Sequence, residues 1–137
     1  MVVAVNIKIL HDYYSLQFRD FIFGTFRHIT GKNPGHEFIF ISDRKEENQF
    51  INSSNVKTVT TAPLPRRPLF WKIWYHLKLP AILKKYKADV FISFDGICSL
   101  NTPVPQCLIL FDLFFSDNFS SLKKQQFKFY KKNYRIS

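Results

Sequence analysis

The sequence predicts an α/β domain built on a mainly parallel sheet, and three observations support this prediction. Short apolar runs typical of strands alternate along much of the chain with segments of helical periodicity. Two of these runs, Val2–Leu10 and His36–Ser42, contain nearly unbroken apolar stretches, which is typical of strands buried on both faces. The chain has 137 residues and 46% of them are hydrophobic, enough for one domain with a core. We therefore expect a Rossmann-like fold with about five or more strands and helices on both faces of the sheet.

A helix is predicted after the first strand, over Leu16–Thr30. Apolar side chains recur there at spacings of four, four and three residues, which places them on one helical face. The residues on this face are Phe18, Ile22, Phe26 and Ile29. Gly31 and Pro34 come next, and both residue types commonly follow the last turn of a helix.

The middle of the chain predicts a helix that a proline interrupts. It follows the second and third strands, His36–Ser42 and Asn55–Thr61, of which the third has few apolar residues and is expected to be more exposed. Pro68 can open a helix at its first position. Pro80 cannot sit inside a helix without removing a hydrogen bond, so we expect a kink or a restart there and an end near Tyr86. The predicted apolar face consists of Phe70, Ile73, Trp74 and Leu77.

Two more strands and a final helix complete the prediction. The strands are Asp89–Ser93 and Gln106–Leu110, with a turn between them. In 122–134, aromatic residues recur at spacings of three and four among lysines, which predicts a basic amphipathic helix. Its aromatic stripe is Phe127, Tyr130 and Tyr134. We expect the sheet to bury Val3, Val5, Ile39, Ile41, Phe91, Ile92, Leu108 and Leu110. Residues 1–137 are expected to form a single domain, the first half of a longer two-domain protein.

The net charge of +10 is unevenly distributed along the chain. Residues 48–88 hold eight basic side chains and no acidic one, and residues 118–137 hold six basic and no acidic one, whereas 89–117 hold four acidic and no basic one. Such an excess favours polyanionic partners, either nucleic acid or an anionic membrane surface, although it can also serve solubility alone.

The chain opens without a signal-peptide pattern and has no apolar run long enough to span a membrane. We expect a cytoplasmic protein, free or peripheral at the inner face of the membrane.

Composition and motifs exclude several classes of protein. An aromatic content of 18% excludes a disordered tail, and two cysteines exclude a disulfide scaffold. Cys98 and Cys107 have apolar neighbours and are expected to be buried thiols. There is no Cys/His zinc spacing and no glycine-rich phosphate motif, so we expect neither a metal nor a nucleotide cofactor on this domain.

Candidate functional residues follow the predicted strands, because ligands of open parallel sheets bind at the carboxyl ends of the strands. The candidates are His11, Asp12, Tyr13, Asp95, Gly96 and Asp112. The three aspartates could converge on one crevice, where a carboxylate accepts hydrogen bonds from sugar hydroxyls or acts as a base. They could equally be helix caps and turn residues. Asp112 is the one candidate for a catalytic role.

Two basic and aromatic segments have alternative interpretations. Phe70–Tyr75 could stack on bases or lie at a membrane interface, or it could pack one face into the core with its lysine extended to solvent. The final predicted helix could lie on an anionic surface, or its aromatic residues could face the domain itself. The basic residues of that patch are Lys123, Lys124, Lys128, Lys131 and Lys132.

The order of these segments resembles the amino-terminal domain of glycosyltransferase family 4, the mannosyltransferase-like retaining enzymes of the GT-B fold. The resemblance covers nearly the whole chain and is clearest over Ile82–Gly96 (ILKKYKADVFISFDG) and Val104–Asp112 (VPQCLILFD). It implies an acceptor-binding domain of a transferase in polysaccharide biosynthesis. The acceptor would be a glycan or a lipid-linked sugar. The nucleotide-sugar donor would bind a second, carboxyl-terminal domain, and the isolated chain would be inactive.

The chain departs from that family at two places. Related sequences often carry glycine in the loop after the first strand, where this chain has none, and His-Asp where this chain has Phe111-Asp112. Phenylalanine neither donates a hydrogen bond nor takes a proton. The alternatives are a non-catalytic basic α/β module that binds nucleic acid or an anionic membrane surface, and a stand-alone interaction protein of flavodoxin-like shape.

Overall fold

A computed structural model of the chain describes residues 1–7, 16–42, 53–61, 68–94 and 97–109. Within these ranges five strands form a sheet in the order β3-β2-β1-β4-β5, and all neighbouring strands run parallel. The strands are β1 Val2–Asn6, β2 Glu37–Ser42, β3 Val56–Thr60, β4 Val90–Ser93 and β5 Gln106–Leu108. The predicted α/β fold with a parallel sheet is therefore confirmed.

Helix α1, Leu16–Lys32, covers one face of this sheet. Its buried side chains Ile22, Phe23 and Phe26 pack against the side chains of β1 and β2 that point to the same side. The Phe26 ring meets Phe40 and Phe94 edge-on, at centroid distances of 5.3 and 5.8 Å. The helix continues through Gly31, two residues beyond the predicted end. The backbone and side-chain amides of Asn33 then donate to the carbonyl oxygen of Ile29 and end it.

The opposite face is covered by a helical run of three parts. These are α2 (Pro68–Ile73), a π-helical segment (Trp74–Lys78) that we call the π segment, and α3 (Leu79–Lys85). The buried side chains of this run are Trp74, Tyr75, Leu79 and Leu83, and they pack on Ala4, Ile39, Ile41, Phe91 and Ile97. Helices thus lie on both faces of the sheet, as predicted.

The predicted apolar face of this helical run is wrong at two positions, and the π segment, which shifts the helical register after Trp74, accounts for the one at Leu77. Phe70 and Leu77 are exposed, whereas Tyr75, which the pattern had left out, is buried. The backbone amide of Leu79 donates to the carbonyl of Trp74, five residues back, so the turn holds one residue more than an α-helical turn. The irregularity therefore lies in the π segment, ahead of the proline, and the helical run continues through Pro80 to Lys85.

The side chain of Asn101 compensates for the backbone amide that Pro80 lacks. In a regular α-helix the amide of residue 80 would donate to the carbonyl of residue 76. Here the Asn101 side-chain amide donates to that carbonyl, at 3.0 Å from its oxygen. The irregular helix is thereby tied to the connection between β4 and β5.

The predicted core is confirmed at five positions on β1, β2 and β4 and corrected at two positions on β4 and β5. Val3, Val5, Ile39, Ile41 and Phe91 are buried. Ile92 and Leu108 are only half-buried, and Leu110 lies outside the described residues.

The cysteine prediction is confirmed for Cys98, which is buried, and wrong for Cys107, which is exposed. Cys107 lies on β5, the outermost strand on its side of the described sheet, and alternation along the strand turns its side chain toward the α1 side. No described helix packs on β5 there.

One asparagine side chain joins α1, β2 and the start of β3. The Nδ2 group of Asn55 lies 3.0–3.1 Å from the carbonyl oxygens of Thr30, Asn33 and His36, and its Oδ1 accepts from the hydroxyl of Ser53. The backbone amide of Phe38 donates to the Asn55 carbonyl. We call this set of contacts the Asn55 clamp.

We expect Asn55→Ala to lower the free energy of unfolding by about 1–3 kcal/mol, because three carbonyl groups lose a donor at once. Asn55→Asp should cost a similar amount, since a carboxylate cannot donate to them. Urea denaturation followed by circular dichroism measures both changes. Ser54→Ala, at the exposed neighbouring position, is the control and should leave the midpoint unchanged. Unchanged midpoints for both Asn55 variants would contradict this role.

Candidate functional site

The direction in which the chain connects its strands reverses between β1 and β4. From β1 the chain passes through α1 to β2 on one side, and from β3 it crosses back to β4 on the other side of β1. In open parallel sheets, ligands bind where neighbouring strands continue in opposite directions like this. The switch point of this sheet therefore lies between β1 and β4.

Two buried polar residues lie side by side at this switch point. Asn6 ends β1 and Ser93 ends β4, and the two are register partners in the parallel ladder. Alternation along the strands turns both side chains toward the α2–α3 side, the side on which Ala4 and Phe91 are packed. Asn6 is 1% exposed and Ser93 is 0% exposed. We call these residues the switch-point pair.

The switch-point pair interrupts a row of otherwise apolar side chains. The row continues outward to Ile41 on β2 and to Leu108 on β5, both register partners of the pair. Burying an amide or a hydroxyl costs about 1–3 kcal/mol unless hydrogen bonds compensate. Polar side chains at these buried positions therefore favour a role in holding the neighbouring chain or in binding.

Sequence reasoning missed the switch-point pair, because both residues lie inside predicted strands and look like ordinary strand positions. A usable signal was present, since each is a polar residue in a run that is otherwise mostly apolar. Ser42, at the end of β2, is a third buried polar residue of this kind. Its position in the alternation turns it toward the α1 side, away from the other two.

The predicted site residues all lie outside the described residues. His11, Asp12 and Tyr13 follow β1, Asp95 and Gly96 follow β4, and Asp112 follows β5. The structure does bring together the strands that precede them, since Asn6, Ser93 and Leu108 are consecutive register partners across β1, β4 and β5. The convergence of the candidate side chains themselves stays a prediction. The basic patch of Lys123, Lys124, Lys128, Lys131 and Lys132 also lies outside the described residues.

The connection from β4 to β5 is fixed by a paired side-chain contact. Oε1 of Gln106 accepts from the Ser99 backbone amide at 2.8 Å, and Nε2 of Gln106 donates to the Ser99 carbonyl at 2.7 Å. Ser99 is buried, so both of its backbone groups depend on this glutamine. The contact holds residues 97–105 against the α2–α3 side of the sheet, where Ile97 and Val104 join the core.

The described histidines and carboxylates do not form a metal site. His28 is exposed on α1, and His36 precedes β2 at the amino-terminal edge of the sheet. Across the described ranges, no three His, Cys, Asp or Glu side chains come close enough together to hold a metal ion. None of the helices in that part of the chain has the length and apolar character needed to cross a membrane.

Exposed lysines cover the outer surface of the α2–α3 side. Those on the helical run and just after it are Lys72, Lys78, Lys84, Lys85 and Lys87. Lys57 of β3 joins them, with its Nζ 5.0 Å from the centroid of the Tyr86 ring. Trp74 and Tyr75 are buried beneath this surface, so the structure favours the core interpretation of that aromatic segment over base stacking.

The chain matches no protein-family model, and neither curated proteins nor solved structures show a significant similarity to it.

We expect Gln106→Leu to lower the free energy of unfolding by about 1–3 kcal/mol, since the buried backbone amide and carbonyl of Ser99 lose both partners. Gln106→Glu retains the acceptor and loses the donor, so its effect should be intermediate. Urea denaturation measures the three stabilities, with the exposed Lys84→Gln as a control of unchanged stability. A leucine variant as stable as the parent would show that the contact does not hold the connection.

Proposed function

We propose that this chain is the acceptor-binding domain of a retaining glycosyltransferase of the GT-B type, with the acceptor at the carboxyl ends of β1 and β4. The observation that carries the proposal is the switch-point pair, Asn6 and Ser93, set in a parallel sheet of order β3-β2-β1-β4-β5. The sequence resemblance to glycosyltransferase family 4 supplies the reaction class.

The chemistry of the crevice suits a sugar acceptor. Asn6 and Ser93 are buried, so we expect them to hold the ends of β1 and β4 in place beneath the loops that would bind the sugar hydroxyls. The loops after β1, β4 and β5 would add His11, Asp12, Asp95 and Asp112, whose carboxylates accept from sugar hydroxyls. Asp112 is the candidate for contact with the reacting hydroxyl.

The donor is expected elsewhere in the enzyme. The sequence has no glycine-rich phosphate loop after β1, so a nucleotide sugar would lack backbone amides to bind its diphosphate on this domain. A second, carboxyl-terminal domain would hold the donor and close the cleft. The reaction would transfer its sugar, with retention at the anomeric carbon, to a glycan or a lipid-linked acceptor in polysaccharide biosynthesis.

A second candidate function is a non-catalytic basic module that binds an anionic membrane surface. The lysines exposed on the α2–α3 side favour it, because residues 48–88 contain no acidic side chain to offset them. The buried positions of Trp74 and Tyr75 disfavour nucleic acid as the polyanion.

We expect nucleotide sugars to bind the isolated chain no more tightly than millimolar, and a simple sugar acceptor to perturb the crevice. Calorimetry with GDP-mannose and UDP-glucose tests the first point. Amide NMR titration with methyl mannoside tests the second, and shifts should concentrate around Asn6, Ser93 and Phe94. Ser93→Ala should reduce these shifts, while the exposed control Ala81→Ser should keep them. Micromolar affinity for a nucleotide sugar, or shifts confined to other regions, would contradict the proposal.

We expect anionic vesicles to bind the chain and neutral vesicles not to, with binding that weakens as salt screens the charges. A transferase that acts on a lipid-linked acceptor would bind the membrane through the patch in 122–134. In that case most of the binding should be lost when Lys124, Lys128 and Lys131 are all changed to Glu. The matched variant with Lys72, Lys78 and Lys84 changed to Glu should keep it. Co-sedimentation measures both variants, and the reverse pattern would favour the second candidate function.

A further inference from the structure

An apolar groove of about 510 Å³ lies on the α1 side of the sheet. One wall is the flank of α1, including Phe21, Thr25 and Ile29, and the floor is formed by β4 and the end of β5. The floor residues include Ile92, Phe94 and Ile109. We call this feature the α1 groove. It lies on the α1 face of the sheet and adjoins the proposed acceptor site only at Phe94, which directly follows β4.

The α1 groove leaves large apolar side chains in contact with water. Phe21 is 62% exposed although it lies on the only long helix of the described residues. Ile92 and Ile109 are half-buried, and Cys107, on the same side of β5, is exposed. A contiguous apolar surface of this kind favours a covering partner, because burying it removes apolar area from water.

The chain itself continues directly from the floor of the groove. Ile109 is the last described residue, and 137 − 109 = 28 residues follow it. Residues 122–134 place Phe127, Tyr130 and Tyr134 on one helical face, at spacings of three and four. A helix of that length spans about 20 Å, comparable to α1, and the 12 residues between Ile109 and Leu122 leave ample chain to turn back.

Charge favours the α1 side over the opposite side for this segment. Residues 118–137 carry six basic side chains and no acidic one. The α2–α3 side is already covered with lysines and would repel them. Of the three acidic side chains among the described residues, only Asp20 lies on α1, because strand alternation turns Glu37 and Asp89 to the opposite side of the sheet. With Arg27 and Lys32, the described part of α1 is still less positive than the α2–α3 side with its six exposed lysines.

We propose that residues 122–134 form a helix that packs into the α1 groove, with Phe127, Tyr130 and Tyr134 against Phe21, Ile92 and Ile109. Lys128 and Lys132 then lie on the outward face. Lys123 falls on the aromatic side one turn before Phe127, at the end of the helix, where its long stem reaches solvent. The inference does not depend on the sugar-transfer proposal, and either can fail without the other.

Disulfide trapping in the full-length chain tests the packing directly. In a Cys107→Ser background, Thr25→Cys places a thiol on the groove wall and Gln126→Cys places one beside the aromatic stripe. Mild oxidation should give a fast-migrating monomer on a non-reducing gel. The matched pair joins Gln126→Cys with Ala81→Cys, which is exposed on the opposite side of the sheet, and should give none. Equal cross-linking of the two pairs would overturn the proposal, and so would a cross-linked dimer, which would assign the groove to a second copy.

A double-mutant cycle supplies an independent test. Phe21→Ser and Tyr130→Ser should each lower the urea midpoint, and together they should lower it by less than the sum, because the second change removes a contact already lost. Leu77→Ser is the control, since Leu77 is 63% exposed on the other side and should be additive with Tyr130→Ser. Additivity of Phe21→Ser with Tyr130→Ser would overturn the proposal.

Discussion

The parallel pairing of β1 with both β2 and β4 is the constraint on which the rest of the structure depends. β1 is the central strand, and each core begins at one of its faces, with Val3 and Val5 on the α1 side and Ala4 on the other. A strand buried on both faces must be apolar along its length, and it must satisfy its backbone groups through its two neighbours. The register of this pairing also aligns the ends of β1 and β4, which is why Asn6 and Ser93 meet.

The helical run on the second face contains a proline and still packs its apolar side chains on the sheet. A π turn ahead of Pro80 adds one residue and brings Trp74, Tyr75 and Leu79 onto the sheet together. Asn101 then donates to the carbonyl of His76, which lies one helical turn before the proline. The connection that holds Asn101 is itself held by Gln106, so the helix, the connection and β5 form one linked unit on that side.

The two sides of the sheet and its carboxyl edge offer three different surfaces. The edge carries a buried polar pair, the α2–α3 side presents lysines to solvent, and the α1 side leaves an apolar groove beside the point where the described chain ends. A nucleic-acid binder presents aromatic residues outward along a continuous basic surface, whereas Trp74 and Tyr75 are buried here.

Much of the fold could be predicted from sequence because strands buried on both faces need unbroken apolar runs, and the periodicity of α1 is regular. Those local patterns determined the five strands, their parallel arrangement and the helices on both faces. They failed at Leu77, because a π turn is settled by how a whole helix packs against the sheet. They failed at Cys107, because exposure depends on which strand lies outermost. Only the tertiary structure decided that Asn6 and Ser93 are neighbours, since they lie 87 positions apart in the chain and the strand order alone brings them together.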